Sequence, residues 1–200
     1  MEKESAINQR VQDFSKSIDI FQTILIYLIA LLVPTFLGEM LKSILPATSI
    51  VVTKSQLIIG SIVNASLIVT AMNLKGWAKI LGVVTMPSIS TILGGYVFKT
   101  ASVFTVYMIP AIWIGNFALV YAYKKILVQK NKNYFLAGIV GIVIKVAIIF
   151  GAFNILKVIG IFPQKLITNL QTAMGMVQAI TATVGMLVAF VIYKLECINK

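Results

Sequence analysis

Six long apolar runs, separated by short polar links, dominate the chain at about residues 20–37, 57–74, 77–98, 104–128, 135–155 and 173–193. Each approaches the ~20 residues that a helix needs to cross the hydrocarbon of a bilayer. The runs are continuous and rich in Leu, Ile, Val, Ala and Gly, without the strict alternation of barrel strands, so they read as helices. With 59% of its 200 residues hydrophobic and 12% charged, the chain has too little polar surface to coat a soluble globule. The sequence therefore predicts an all-α, polytopic membrane protein, with residues 20–200 forming a single six-span bundle.

Ahead of the first run, Ile7, Val11, Phe14 and Ile18 recur at helical spacing among charged and amide residues. This pattern predicts a short interfacial amphipathic helix over residues 1–19. Glu2, Glu4, Asp13 and Asp19 interrupt the basic leader that a cleavable signal requires, so the first span is expected to stay attached.

Lysine and arginine positions set the orientation of such a bundle. Eleven lie at one end: Lys3, Arg10, Lys16, Lys75, Lys79, Lys124, Lys125, Lys130, Lys132, Lys194 and Lys200. Only Lys42, Lys54, Lys99, Lys157 and Lys165 lie at the other. Both termini are thus expected on the cytoplasmic side of the plasma membrane. Topology and attraction to anionic lipid account for much of the +11 net charge, and no aromatic platforms interleave the basic residues, so nucleic acid is not an expected partner.

Lys145 belongs to neither set, since it falls near the middle of the fifth run. A lysine at mid-bilayer costs roughly 2.5–3.5 kcal/mol on insertion scales, so it should face protein or a ligand. Gly138, Gly141 and Ala152 share its helical stripe, and such small residues mark the face on which membrane helices approach closely. Lys145 is either a structural lysine held by carbonyls or amides, or a cation meeting an anionic group of a substrate.

Other spans carry polar groups that lipid cannot satisfy: Asn64 in the second, Ser88 and Thr91 after Pro87 in the third, Asn116 in the fourth and Gln178 in the sixth. Gln178 lies on a stripe with Gly175, Ala182, Gly185 and Ala189, which reads as a close-packing seam. Together with Lys145, these groups predict an interior cavity of mixed polarity. The link from Gly38 to Gln56 carries Glu39 and Lys42 three residues apart and is a candidate lid.

The inventory excludes several chemistries. Histidine is absent and Cys197 is the only cysteine, so neither haem, an iron–sulfur cluster nor a zinc site is expected, and no cofactor or metal is assigned. Paired carboxylates, an activated nucleophile and a phosphate-cradling glycine loop are also missing, so the chain does not read as an enzyme.

Three features resemble the small six-span substrate-binding (S) components of energy-coupling factor (ECF) transporters. They are Gly60-Ser61-Ile62-Val63-Asn64-Ala65, the segment Met108-Ile109-Pro110-Ala111-Ile112-Trp113-Ile114-Gly115-Asn116, and the lysine of the fifth span. The chain departs from that pattern at Ser61, where the family commonly has proline, and around Ala30, where the family's Ala-x-x-x-Ala motif is not clean. The resemblance implies a subunit that binds a vitamin-like micronutrient at the outer face, with a transmembrane coupling protein and two ATPase subunits as partners. It implies a pocket at Lys145, Asn116, Trp113 and Gln178, with Asn64 and Ser88 as further polar candidates and the segment of Glu39 and Lys42 as lid. A membrane interaction or assembly protein, whose polar groups only hold helices together, is the alternative reading, followed by a solitary small carrier.

Overall fold

In a computed structural model, backbone is described for residues 2–46, 55–94, 104 and 106–198. Side chains are described for 16–37, 40–41, 43–46, 55–89, 104, 106–195 and 197. Among these residues the protein is all-helical. The elements are α1 (Glu2–Ile44), α2 (Ser55–Asn73), α3 (Trp77–Gly94), α4 (Ile109–Ala122), α5 (Tyr134–Val158), α6 (Gln164–Met174) and α7 (Met176–Ile198). A 3-10 turn, Val106–Met108, leads into α4, and a π-helical stretch, Tyr123–Gln129, prolongs it. Five segments are long and apolar enough to cross a bilayer: Lys16–Leu37, Ser55–Asn73, Val106–Gln129, Tyr134–Val158 and Gln164–Leu195. The chain is a membrane protein, with Phe21, Leu25, Ile139, Val143, Ile155 and Val191 among the large apolar side chains on its outer surface.

Two elements differ from the pattern read in the sequence. The first helix is continuous from Glu2 to Ile44, with no break between a surface segment and a span and with its far end running into the first link. The side chains of Ile7, Val11, Phe14, Glu39 and Lys42, and all of residues 47–54, lie outside the described residues. The third run is helical as α3, Trp77–Gly94, and the side chain of Thr91 and all of Gly95 fall outside the described residues. The last run, 173–193, falls almost wholly in α7, and an amphipathic helix, α6, precedes it and joins it at Gly175, whose φ of −105° and ψ of −92° turn the chain out of helical geometry.

The links close by ordinary local chemistry. Gly76 takes a φ of +89° between α2 and α3, a conformation cheap only for glycine. Asn133 caps α5, its side-chain oxygen accepting from the backbone N–H groups of Phe135 and Leu136. At the other end of α5, Gly160 has φ +84°. The N–H of Ile161 returns to Leu156 O and that of Gly160 to Lys157 O, the pairing of a Schellman stop.

Packing is tightest between α2 and α7, then between α4 and α5, with α1 laid across α3 and α2. Small residues set the first two seams. A methyl group placed at Gly185 of α7 would sit 2.6 Å from Asn64 Cβ and 2.8 Å from Ser61 O, and one at Gly115 of α4 would sit 2.9 Å from Ile149. Tyr27 fastens α1 to α3 by donating to Lys79 O at 2.9 Å. Two apolar cores result. One, at the lysine-rich end, holds Leu67, Ile68, Val83, Tyr123, Ala137 and Ala189. The other, toward the opposite end, holds Met108, Ile149, Phe153, Phe162 and Met174.

Candidate functional site: a cation in an interior cavity

The buried polar side chains converge from five helices. Ser61, Asn64, Ser88, Asn116, Lys145 and Thr181 are all buried, and Lys145 is only 2% exposed. Small residues permit this burial. A methyl group at Gly141 of α5 would meet Leu119 and Ala122 of α4, and one at Gly138 would meet Met186 and Tyr123, so the face of α5 that carries Lys145 lies against protein.

Lys145 Nζ donates to Asn64 Oδ1 at 2.5 Å, linking α5 to α2. The amide nitrogen of Asn64 donates to Gly60 O at 2.7 Å and to Thr181 Oγ1 at 3.3 Å. Thr181 in turn donates within α7, to Val177 O at 2.8 Å. Both amide hydrogens of Asn64 are thereby used on acceptors, which fixes its oxygen as the atom that faces the ammonium. Lys145 keeps two further N–H donors beyond this one bond.

A cavity of about 80 Å³ opens beside this network, lined by Lys145, Asn64, Thr181, Asn116, Ser88 and Gln178 together with Pro34, Gln56 and Pro87. Among the described residues no carboxylate lines it, and Lys145 is the one formal charge on its wall. Ser88 Oγ is buried without a hydrogen-bond partner, and Asn116 makes one long bond, Nδ2 to Val84 O at 3.5 Å. The walls therefore offer several donors and few committed acceptors around one cation, an arrangement suited to an anion or to the anionic end of a larger molecule. Among the described residues, no cluster of His, Cys, Asp or Glu is placed to hold a metal.

Of the residues singled out in the sequence, Lys145, Asn64, Asn116, Ser88 and Gln178 meet at this cavity. Trp113 does not line it; its ring is 37% exposed on the outside of the bundle, one residue beyond the wall position Ile112. The side chains of Glu39 and Lys42 lie outside the described residues, so the lid expectation is not addressed here. Thr181 and Gln56 are wall residues that sequence reasoning passed over. Thr181 was within reach of it, standing three residues after Gln178 and four before Gly185 on the seam of α7.

Fold and site together define a helical membrane protein with a cation on the wall of an interior cavity. No protein-family model, no curated protein and no solved structure matches the chain.

Proposed function

We propose that this chain is the membrane-embedded substrate-binding subunit of an importer of the energy-coupling factor type, a module that selects a small micronutrient and leaves ATP hydrolysis to partner subunits. The observation that carries the reading is a buried cation with unused donors on a cavity wall that holds no carboxylate among the described residues. The place of the cavity agrees with it. Gln56, Pro87, Ser88, Ile112 and Gln178 fall in the halves of their helices away from the lysine-rich end, while Asn64, Asn116 and Lys145 lie near the middle of theirs. With both termini cytoplasmic and the bundle in the plasma membrane, that half faces outward, where an importer meets its ligand.

The cavity is small beside the 300–1,000 Å³ of typical ligand pockets. In this reading it takes the anionic group of the ligand, with the remainder held outside it. Lys145 pairs with the anion while Ser88, Asn116 and Gln178 orient it. The bond from Lys145 to Asn64 favours a second reading, an assembly protein whose lysine is satisfied within the bundle.

Mass spectrometry of the protein purified in mild detergent from its native membrane separates the two. Recovery of a coupling protein and ATPases, with or without an anionic small molecule, supports the importer; an empty chain or unrelated partners supports the assembly protein.

A further inference from the structure

A second polar cavity lies at the lysine-rich end, far along the helices from Lys145. It occupies about 290 Å³ where α1 passes the α2–α3 link, and is lined by Lys16, Ile18, Asp19, Gln22, Asn73 and Lys75. Its one carboxylate is already spoken for, because Asp19 forms an ion pair with Lys79 at the start of α3. Lys16 and Lys75 have no such counter-charge among the described residues. Lys124 adds a third cation nearby: its ammonium donates to Ala71 O at 3.1 Å and Leu74 O at 2.8 Å, capping the end of α2 from which Lys75 projects. The cavity is thus net positive, with two amides, Gln22 and Asn73, in its walls.

Its surroundings are those of a membrane interface. Along α1 the N-terminal charged residues end at Asp19 and the apolar run begins at Ile20, so the cavity stands where that helix leaves the hydrocarbon. From the wall residue Ile18, Phe21 and Leu25 follow at i+3 and i+7, on one stripe directed into the bilayer, and they are 66% and 46% exposed. A positive, amide-lined cavity at headgroup depth continues directly into an exposed apolar stripe.

We propose that this is a binding site for an anionic phospholipid of the leaflet at this end. The phosphodiester lies between Lys16 and Lys75, Gln22 and Asn73 donate to its oxygens, and one acyl chain runs along Ile18, Phe21 and Leu25. The neutral Asp19–Lys79 pair closes the back of the site and holds α1 against α3, so a lipid bound here bridges α1 to the α2–α3 link. Charge complementarity distinguishes this occupant from a zwitterionic lipid, whose own ammonium would meet Lys16 and Lys75.

The test uses the full chain, delipidated in mild detergent and titrated with dioleoyl-phosphatidylglycerol, with phosphatidylcholine of the same chains, or with inorganic phosphate, and read by native mass spectrometry and thermal unfolding. Phosphatidylglycerol is expected to give a discrete adduct and a higher melting temperature, phosphatidylcholine neither, and phosphate alone at most a weak shift, since it lacks the chain that the α1 stripe receives. Lys16→Gln with Lys75→Gln should weaken the phosphatidylglycerol adduct roughly 30-fold, at about fivefold per interfacial lysine. Lys130→Gln with Lys132→Gln, at the other link of the same end, should leave it unchanged. Equal binding of the two lipids, equal loss in both double variants, or full binding in the first would overturn the proposal. Phosphate binding as tightly as the lipid would assign the site to a free anion and overturn the lipid assignment.

Discussion

Lys145 Nζ and Asn64 Oδ1, 81 residues apart in the chain, meet across the interface of α5 and α2. Asn64 reaches that position because its amide hydrogens are committed to Gly60 on its own helix and to Thr181 on α7. One asparagine therefore ties the buried cation to the tightest helix seam of the bundle. The consequences of removing either partner are unequal.

Asn64→Leu leaves a buried ammonium without its partner, whereas Lys145→Met leaves only a neutral amide oxygen unpaired. Loss of one member of a buried charged contact costs about 3–5 kcal/mol, and an orphaned neutral group about 1–3 kcal/mol. Thermal unfolding in detergent should show Asn64→Leu as the more destabilised of the two, with the double variant more stable than Asn64→Leu alone. The reverse order would mean that Lys145 finds other partners in the bundle.

Asn64→Asp puts a carboxylate against Lys145 at nearly unchanged volume. The fold should persist with equal or higher stability while retention of any anionic ligand falls at least tenfold, because the cation is then neutralised from within. Unaltered retention of the ligand in the purified variant would remove Lys145 from its binding.

Ser88 and Trp113 should part company in binding assays. Ser88→Ala removes a buried, unpartnered hydroxyl from the cavity wall and should weaken ligand retention roughly tenfold, the worth of one hydrogen bond to a charged group. Trp113→Ala acts on the outer surface and should change retention less than twofold. A larger effect at Trp113 would place the ligand outside the cavity.

Gly185 and Gly151 make a matched pair for packing. A methyl group at Gly185 meets side-chain and backbone atoms of α2 at 2.6–2.9 Å, backbone that cannot move aside singly, while nothing lies within 4 Å of one at Gly151. Gly185→Ala should destabilise by about 1–3 kcal/mol. Gly151→Ala should be neutral or stabilise by up to about 1 kcal/mol, through helix propensity. Chemical or thermal unfolding of the two variants checks both figures.

Cys197, the only cysteine and exposed near the end of α7, reports topology without any substitution. With cytoplasmic termini, a membrane-impermeant maleimide should label it only after the membrane is permeabilised. Labelling in intact cells would invert the bundle and turn the Lys145 cavity inward.

The sequence carried the orientation of Lys145 because two independent signals agreed: the cost of a charge in lipid and the glycines on its own stripe, which now lie against Met186, Tyr123, Leu119 and Ala122. Trp113 was harder. It stands three residues before Asn116, only about 60° around a helix, so both fit one stripe, and only the packing of α4 on its neighbours selects Ile112 and Asn116 as the wall. The junction of α6 and α7 was hidden for a similar reason: Gly175 reads equally as a packing glycine or a break until its backbone angles are known.

Apolar length, lysine distribution and the absence of histidine are properties of the chain as written. Apolar length and lysine distribution determined a helical membrane protein and its expected orientation, because transfer into lipid acts on each segment almost independently. Tertiary structure decided which polar groups share a cavity, that Asn64 answers Lys145, and that among the described residues Asp19 is paired with Lys79 while Lys16 and Lys75 have no ion pair. Those outcomes depend on the rotation and register of each helix against the others, set by close packing at particular glycines, which no single segment encodes.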